Sequence, residues 1–382
     1  MHVMFIPSWY SSKSNEVHGS FFKEQALALQ REGIKVTVAY NEIFPITKLG
    51  RIGEKKGLSF QVEDGLNTYR YKGYNFLPKN PLMFQLFNRR MDSLYKEVVR
   101  KQGKVDVIHA QSSMWAGISA LYISKKYNIP LVITEHSSLI KAKHLRNSYK
   151  KHVYNAYMGA DILIAVGNGL KSELEDFTKR NDIEVVPNIV NNKLFIPFPV
   201  EKEYEFSFFS LGYLEGNKGM KELIIAFTEA FRGGSEHLVI GGDGSEKETL
   251  QNLIRDSHME SQIHLIGALS RQEVAEEMNK CDAFVLASPY ETFGVVYIEA
   301  MFCGKPVIGL YNGGADNIIK SYNGIIIEKN NGILLRDALI YMKNNIQNYS
   351  SEKICKETMN KYSSNTVAKI IFSLYNKVCR KM

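Results

Sequence analysis

Cysteine is scarce in this sequence and badly spaced for bonding: Cys281, Cys303, Cys355 and Cys379 are far apart and form no CxxC pair. A disulfide framework and a thiolate zinc site are both excluded, and the four read as reduced thiols in core or helix. Proline is sparse too, ten residues in 382, and with 45% apolar and 23% charged residues the chain falls outside the disordered and fibrous classes. No apolar run approaches the roughly 18 residues that span a bilayer. The opening MHVMFIPSWY lacks a basic stretch leading into a long apolar one, so a secretory signal is not expected. From these absences the expected location is the cytoplasm.

Acidic residues are also in short supply, leaving a net charge of +8. The excess is clustered. Residues 79 to 104 hold seven Lys or Arg against two acids, and 137 to 152, SSLIKAKHLRNSYKKH, hold five against none. Such clusters are either solvated faces or an attraction toward anionic head groups at the inner face of the cell membrane. Recognition-helix, zinc-finger and basic-aromatic signatures are missing, so nucleic acid is not an expected partner.

What is present is a rhythm of short apolar runs, each followed by a helical pattern. HVMFIP, KVTVAY, VDVIHA, PLVITEH, ADILIAV and IEVVPN form one series; FSFFSLG, EHLVIGGDG, QIHLIG, CDAFVLA, KPVIGL and NGIIIE form a second. Continuous apolar runs alternating with helices imply parallel strands buried on both faces, hence two doubly wound α/β domains. Asp64-Gly65 sits between strand-like runs and predicts a hairpin. Residues 191 to 206, with two prolines and clustered charge, break both periodicities and suit a linker. The expected division is 1–195, 206–365, and a C-terminal helix over 366–382 that can pack back on the first domain. Met220, Leu223, Ile224 and Phe227 follow the i, i+3, i+4, i+7 pattern of a core stripe.

Residues 286 to 304, LASPYETFGVVYIEAMFCG, carry the most chemistry. A strand ends, a turn follows, and a helix is expected to begin near Phe293. The amides of Phe293, Gly294 and Val295 would then lack helical acceptors and form an anion site, with Gly294 allowing close approach of a diphosphate. Glu291 and Glu299 flank that start, and carboxylates accept hydrogen bonds from vicinal hydroxyls. Taken alone, two glutamates eight apart read as a capping acid and a surface acid.

The segment nonetheless resembles the Glu-x7-Glu motif of the retaining GT-B glycosyltransferases of family four, in particular those that build capsular and cell-surface polysaccharide. The resemblance runs along nearly the whole chain in order: VHGSFFKEQALALQREGIKVTV, TEHSS, ADILIAVGNGLKSEL, VVPNIVNNKLF, LGYLEGNKGMKELIIAF, LVIGGDGSEKETL, IHLIGALSRQEV, and GKPVIGLYNGGADNII after the motif. It implies two Rossmann-like domains facing a central cleft and a UDP- or GDP-linked sugar as donor, with no further cofactor and no metal. A glycan or lipid-linked molecule would be the acceptor. It further implies that Glu291 faces the donor sugar hydroxyls and Glu299 the ribose. Phe293, Gly294 and Val295 would offer amides, Lys218 would offset charge on the leaving diphosphate, and His136 would bond the donor sugar. Gly19 would approach the diphosphate or acceptor, and Gly212 would belong to the phosphate loop.

Three positions depart from the family pattern. Tyr213 stands where an arginine follows the glycine, Ile189 where PNG has its glycine, and Asn317 where a glutamate follows the glycine pair. Tyr213 keeps a second reading open, a non-catalytic GT-B partner protein; a sugar-nucleotide 2-epimerase is a third. Gly167, Gly169 and Ser172 imitate a dinucleotide fingerprint, but the third glycine is absent and the strand is not the first of its domain.

Overall fold

The computed structural model describes residues 1–11, 19–49, 56–138, 145–328 and 331–380. It divides into two units, Met1–Ile189 with Ser364–Met382, and Val190–Ser363.

In the first unit the strands are β1 (His2–Pro7), β2 (Lys35–Pro45), β3 (Gly57–Glu63), β4 (Leu66–Asn75), β5 (Val107–Gln111), β6 (Leu131–Glu135), β7 (Ile162–Ala165) and β8 (Glu184–Val185). They form one sheet in the order β3-β4-β2-β1-β5-β6-β7-β8. Only β3 runs antiparallel, paired to β4 around Asp64 and Gly65. Both turn residues have positive φ, as a two-residue hairpin matching strand twist requires. Between the strands lie α1 (Ser20–Arg31), α2 (Met83–Gln102), α3 (Ile118–Tyr127), α4 (Asn147–Met158) and α5 (Asn168–Thr178). Every residue of β1, β5, β6 and β7 is buried, which is why they read as mainly apolar runs without alternation, with His2, His109, Gln111, Thr134 and Glu135 as buried polar exceptions.

In the second unit, β9 (Phe206–Leu211), β10 (Glu236–Gly241), β11 (Ile263–Gly267), β12 (Ala283–Leu286), β13 (Val307–Leu310) and β14 (Gly324–Ile327) form a wholly parallel sheet. Its order is β11-β10-β9-β12-β13-β14. The helices are α6 (Met220–Phe231), α7 (Lys247–Asp256), α8 (Arg271–Lys280), α9 (Val295–Phe302), α10 (Ala315–Ile318), α11 (Gly332–Asn344) and α12 (Ser351–Tyr362), followed by α13 (Ser364–Cys379), which belongs to the first unit. The stripe Met220, Leu223, Ile224 and Phe227 on α6 is buried core. In both sheets the strand order reverses beside the first strand of the unit, and α/β ligands bind outside the strand C-termini at such a switch.

The expected linker is displaced. The chain crosses between Ile189 and Val190, and 190–205 belongs to the second unit. Its irregular backbone is tied down by side chains that periodicity cannot reveal: Phe195 is fully buried, Asn279 bonds the backbone of Ile196 and Phe198, and Lys202 pairs with Asp282 at 2.5 Å. The return crossing is at Ser363–Ser364, two residues before the expected helix start. From there α13 buries Val367, Ala368, Ile371, Leu374, Tyr375 and Val378 in one core with Phe22, Ala26 and Leu29 of α1 and the strand residues Val3, Phe5 and Val107. Each such side chain stabilises by about 1.5–3 kcal/mol at most, so α13 is an integral part of the first unit.

Candidate active site

In the second unit the loops after β9, β12 and β13 meet, and glycine makes the meeting possible. Gly219 caps α6 with φ 70°, and a Cβ there would lie 2.0 Å from the carbonyl oxygen of Ala287. That contact draws Lys218 to the loop leaving β12, where its Nζ donates to Glu291 Oε1 at 2.8 Å. Gly212, at the end of β9, lies against the stem of Lys218, and its carbonyl is approached so closely by Gly242 that a Cβ on Gly242 would lie 1.9 Å from it. Asn312 ties the third loop in. Its carbonyl accepts from Glu291 N–H, its amide nitrogen donates to Ser288 O, and its amide oxygen accepts from the N–H groups of Gly314 and Ala315. Asp316 accepts from the N–H groups of Asn312 and Gly313.

The helix of the Glu-x7-Glu segment starts at Val295, two residues after the expected Phe293. Gly294 is the reason: its φ of 84° is left-handed and cannot continue a right-handed helix, so it caps α9 from outside. A Cβ there would also sit 2.6 Å from the ring of Tyr297. The N–H groups of Phe293, Gly294 and Val295 find no acceptor among the described residues. Three free donors at a helix start, beside the Lys218 cation, make a place for an anion. The Phe293 ring is buried and meets Tyr362 edge-on, which anchors the turn.

Glu299 is fully buried on the second turn of α9. One oxygen, Oε1, accepts from Arg271 Nη1 at 2.6 Å, while Oε2 is buried with no partner among the described residues. Burial raises the pKa of this carboxyl, and Arg271 opposes the rise. An unpaired buried carboxylate oxygen is costly and calls for a donor from outside the protein. Tyr213, in the place of the family arginine, is exposed after β9. Among the described residues no three His, Cys, Asp or Glu side chains converge as metal ligands.

Gly19 and His136 lie in the first unit. Gly19 caps α1 with φ 75°, and a Cβ there would lie 2.9 Å from the carbonyl oxygen of Trp9. The rings of Phe21 and Phe22, next along the chain, pack on the His136 imidazole at 5.3 and 4.9 Å. His136 is itself held on both nitrogens, Nε2 against Gln111 Oε1 and Nδ1 against the Asn188 amide, each at 2.8 Å. A ring bond to a donor sugar therefore requires one of these partners to give way. Gln111 also donates to His109 Nε2 at 3.0 Å, and His109 Nδ1 meets Tyr375 Oη of α13 at 2.6 Å. Burial pushes both histidines down to about 3, so both rings are neutral. Both ring nitrogens of His136 face amide oxygens, Gln111 Oε1 and Asn188 Oδ1, and because a neutral imidazole donates from only one nitrogen, one of the two amides must present its NH2 instead.

Sequence reasoning missed Gln111, Glu135, Arg271, Asn312 and Asp316. Glu135 lies in the quoted TEHSS segment; its buried carboxylate accepts from Tyr157 Oη and from the N–H groups of Ser113, His136 and Ser137. Asn188, noted only beside a missing glycine, proves to be a partner of His136. Gly167 has extended backbone before α5, and neither it nor Gly169 adopts the left-handed conformation, so nothing there calls for a nucleotide-binding glycine turn.

Residues 192–361 match the family model of glycosyl transferases group 1, and residues 19–194 match that of glycosyltransferase family 4. A glycosyltransferase of Methanocaldococcus jannaschii is 32% identical over 253 residues, 65% of this chain and 68% of the relative. The chain belongs to the group 1 glycosyltransferases. A Bacillus subtilis glycosyltransferase assigned to teichuronic acid biosynthesis is 26% identical over 375 residues, 93% of this glycosyltransferase and 91% of that one. In fold, the glycosyltransferase is similar to the sucrose-phosphate synthase of Thermosynechococcus elongatus, with a TM-score of 0.77 at 17% identity over the whole of both chains. It is similar also to an Anabaena protein solved in complex with UDP, TM-score 0.74 at 18% identity over 99% of this chain and 100% of that one. The two Rossmann-like units are thus those of the GT-B fold.

Proposed function

We propose that this glycosyltransferase moves a sugar, with retention at the anomeric carbon and without a metal ion, from a UDP- or GDP-linked donor to a glycan or lipid-linked acceptor in surface polysaccharide synthesis. The observation that carries the reading is the trio of free amides at the start of α9 flanked by the Lys218–Glu291 pair. The amides and Lys218 would hold the diphosphate, Glu291 the donor sugar hydroxyls, and Glu299 the ribose. As the C1–O bond to the diphosphate breaks and a C1–O bond to the acceptor hydroxyl forms, charge builds on the leaving diphosphate oxygen, which would then take up the proton that the acceptor hydroxyl loses. Fixed donors already aimed there stabilise that charge without reorganisation. In the first unit, Gly19 would approach the diphosphate or the acceptor, and His136, its ring held by Gln111 and Asn188, would face the donor sugar. The Anabaena complex with UDP and the teichuronic acid relative support the donor class and the polymer setting.

The test is donor turnover. Purified protein is incubated with UDP- and GDP-sugars and candidate acceptors in the presence of EDTA, and release of nucleoside diphosphate is followed. Release that depends on acceptor is expected. Nucleotide binding without release would favour the non-catalytic partner reading that exposed Tyr213 motivates, and isomerised donor without acceptor would favour the epimerase.

A further inference from the structure

Glu299 is fully enclosed, yet half of its carboxylate is unused. Oε1 is held by Arg271 Nη1 at 2.6 Å, and Oε2 has no partner among the described residues. Arg271 opens α8, whose start is fixed by a capping box between Ser270 and Glu273. Its guanidinium lies 4.7 Å from the ring centre of buried Phe195, so it is braced on one side by an aromatic face and on the other by the carboxylate. Its side chain is still about a third exposed, 36%. Such a bracket fixes which oxygen of Glu299 stays free.

We propose that Arg271 is a positioning residue for recognition of the donor nucleotide: it locks Glu299 by one oxygen and leaves the other to accept the ribose 2′-hydroxyl, making the site selective for ribonucleotides over 2′-deoxyribonucleotides. The inference rests on the donor class proposed above. An ionised carboxylate accepts from a hydroxyl more strongly than a neutral carboxyl does. Burial favours the neutral form of Glu299, and Arg271 is the charged group that counters it. Cys303, the residue that follows α9, is a buried thiol pushed up to about 12 and stays uncharged. Without Arg271 the carboxyl loses the partner that fixes which oxygen is engaged, and it takes up a proton at higher pH.

The experiment is calorimetric binding of UDP, dUDP, GDP and dGDP to wild type, Arg271→Gln, Arg271→Lys and Glu299→Gln, between pH 6 and pH 8. For the wild type, the preferred base should bind about 10- to 100-fold more tightly as the ribonucleotide, the usual loss for a hydrogen bond to a charged group. Arg271→Gln should reduce that ratio to about threefold or less, and its ribonucleotide affinity should weaken as pH falls through the range where the wild type is flat. Arg271→Lys, keeping the charge without the planar fork, should fall between. In Glu299→Gln, adding Arg271→Gln should change the ratio little, since the two act as one unit. A wild-type ratio and pH profile in a folded Arg271→Gln would overturn the inference while leaving the donor class intact; if that variant is unfolded, an unchanged ratio in Arg271→Lys would do the same. No binding of any of the four by wild type would overturn the donor class and the inference with it.

Discussion

Lys218 and Glu291, 73 residues apart in the chain, meet at 2.8 Å on a part-buried face beside the free amides of α9. Each holds the other in place before any ligand arrives. Lys218→Ala and Glu291→Gln should each lower turnover by about 100-fold or more, as removal of groups acting on developing charge usually does. The double variant should lose less than the product of the two. Steady-state kinetics with the best donor decides it, and wild-type turnover in both single variants would refute the assignment.

Gly294 tests the turn itself. Gly294→Ala places a Cβ 2.6 Å from the Tyr297 ring at a φ of 84°. The expected result is a rise in donor KM of about tenfold with a stability loss of roughly 1–3 kcal/mol. Donor kinetics and urea unfolding measure both. An unchanged KM would mean that the amides of this turn do not touch the donor.

The buried histidines predict acid sensitivity of the fold. His109 and His136 sit near 3 in the folded protein and near the ordinary 6.5 when unfolded. Between these values the unfolded chain binds more protons, so stability is full above about pH 6.5 and falls as pH drops, by about 1.4 kcal/mol per pH unit for each histidine. Urea unfolding at pH 7 and pH 5 should show that loss, and it should be smaller in His109→Gln. Equal losses in the two proteins would show that His109 is not the group that takes up the proton.

The basic residues of the first unit predict surface binding. Arg146, Lys150 and Lys151 are exposed at and within the start of α4; Lys141 and Lys143 of the same cluster lie outside the described residues. Phe76, Leu77 and Leu82, between β4 and α2, are exposed apolar side chains of the same unit. Each Lys or Arg near an anionic surface contributes about 1 kcal/mol. Salt-sensitive sedimentation with anionic vesicles is expected, weakened when Lys141, Lys143, Arg146, Lys150 and Lys151 are changed together to Ser. Equal sedimentation with neutral and anionic vesicles at low salt would show these to be solvated faces.

Much of the fold was legible in the sequence by itself, because its signals are local. An unbroken apolar run such as ILIA, alternating with helical patterns, fits a strand buried on both faces of a parallel sheet, Asp-Gly between strand runs tolerates the positive φ of a tight hairpin, and the stripe on α6 keeps its period over two turns. The Glu-x7-Glu segment was legible as chemistry for the same reason, since a strand, a turn with Gly294 and a helix follow one another without a gap. Tertiary structure alone decided the partners. Nothing within NKGMKEL marks Lys218 as the ion-pair partner of Glu291; the clearance that Gly219 gives the Ala287 carbonyl brings them together. Arg271 looked like any polar residue at a helix start until the packing of α8 on α9 set it against a buried carboxylate. Segment 190–205 reads as linker because proline and charge break its pattern, yet Asn279 and the pocket around Phe195 hold it in the second unit. Pairings across tens of residues leave no periodic trace in a single sequence, because they depend on where two loops end in space rather than on the residues next to them.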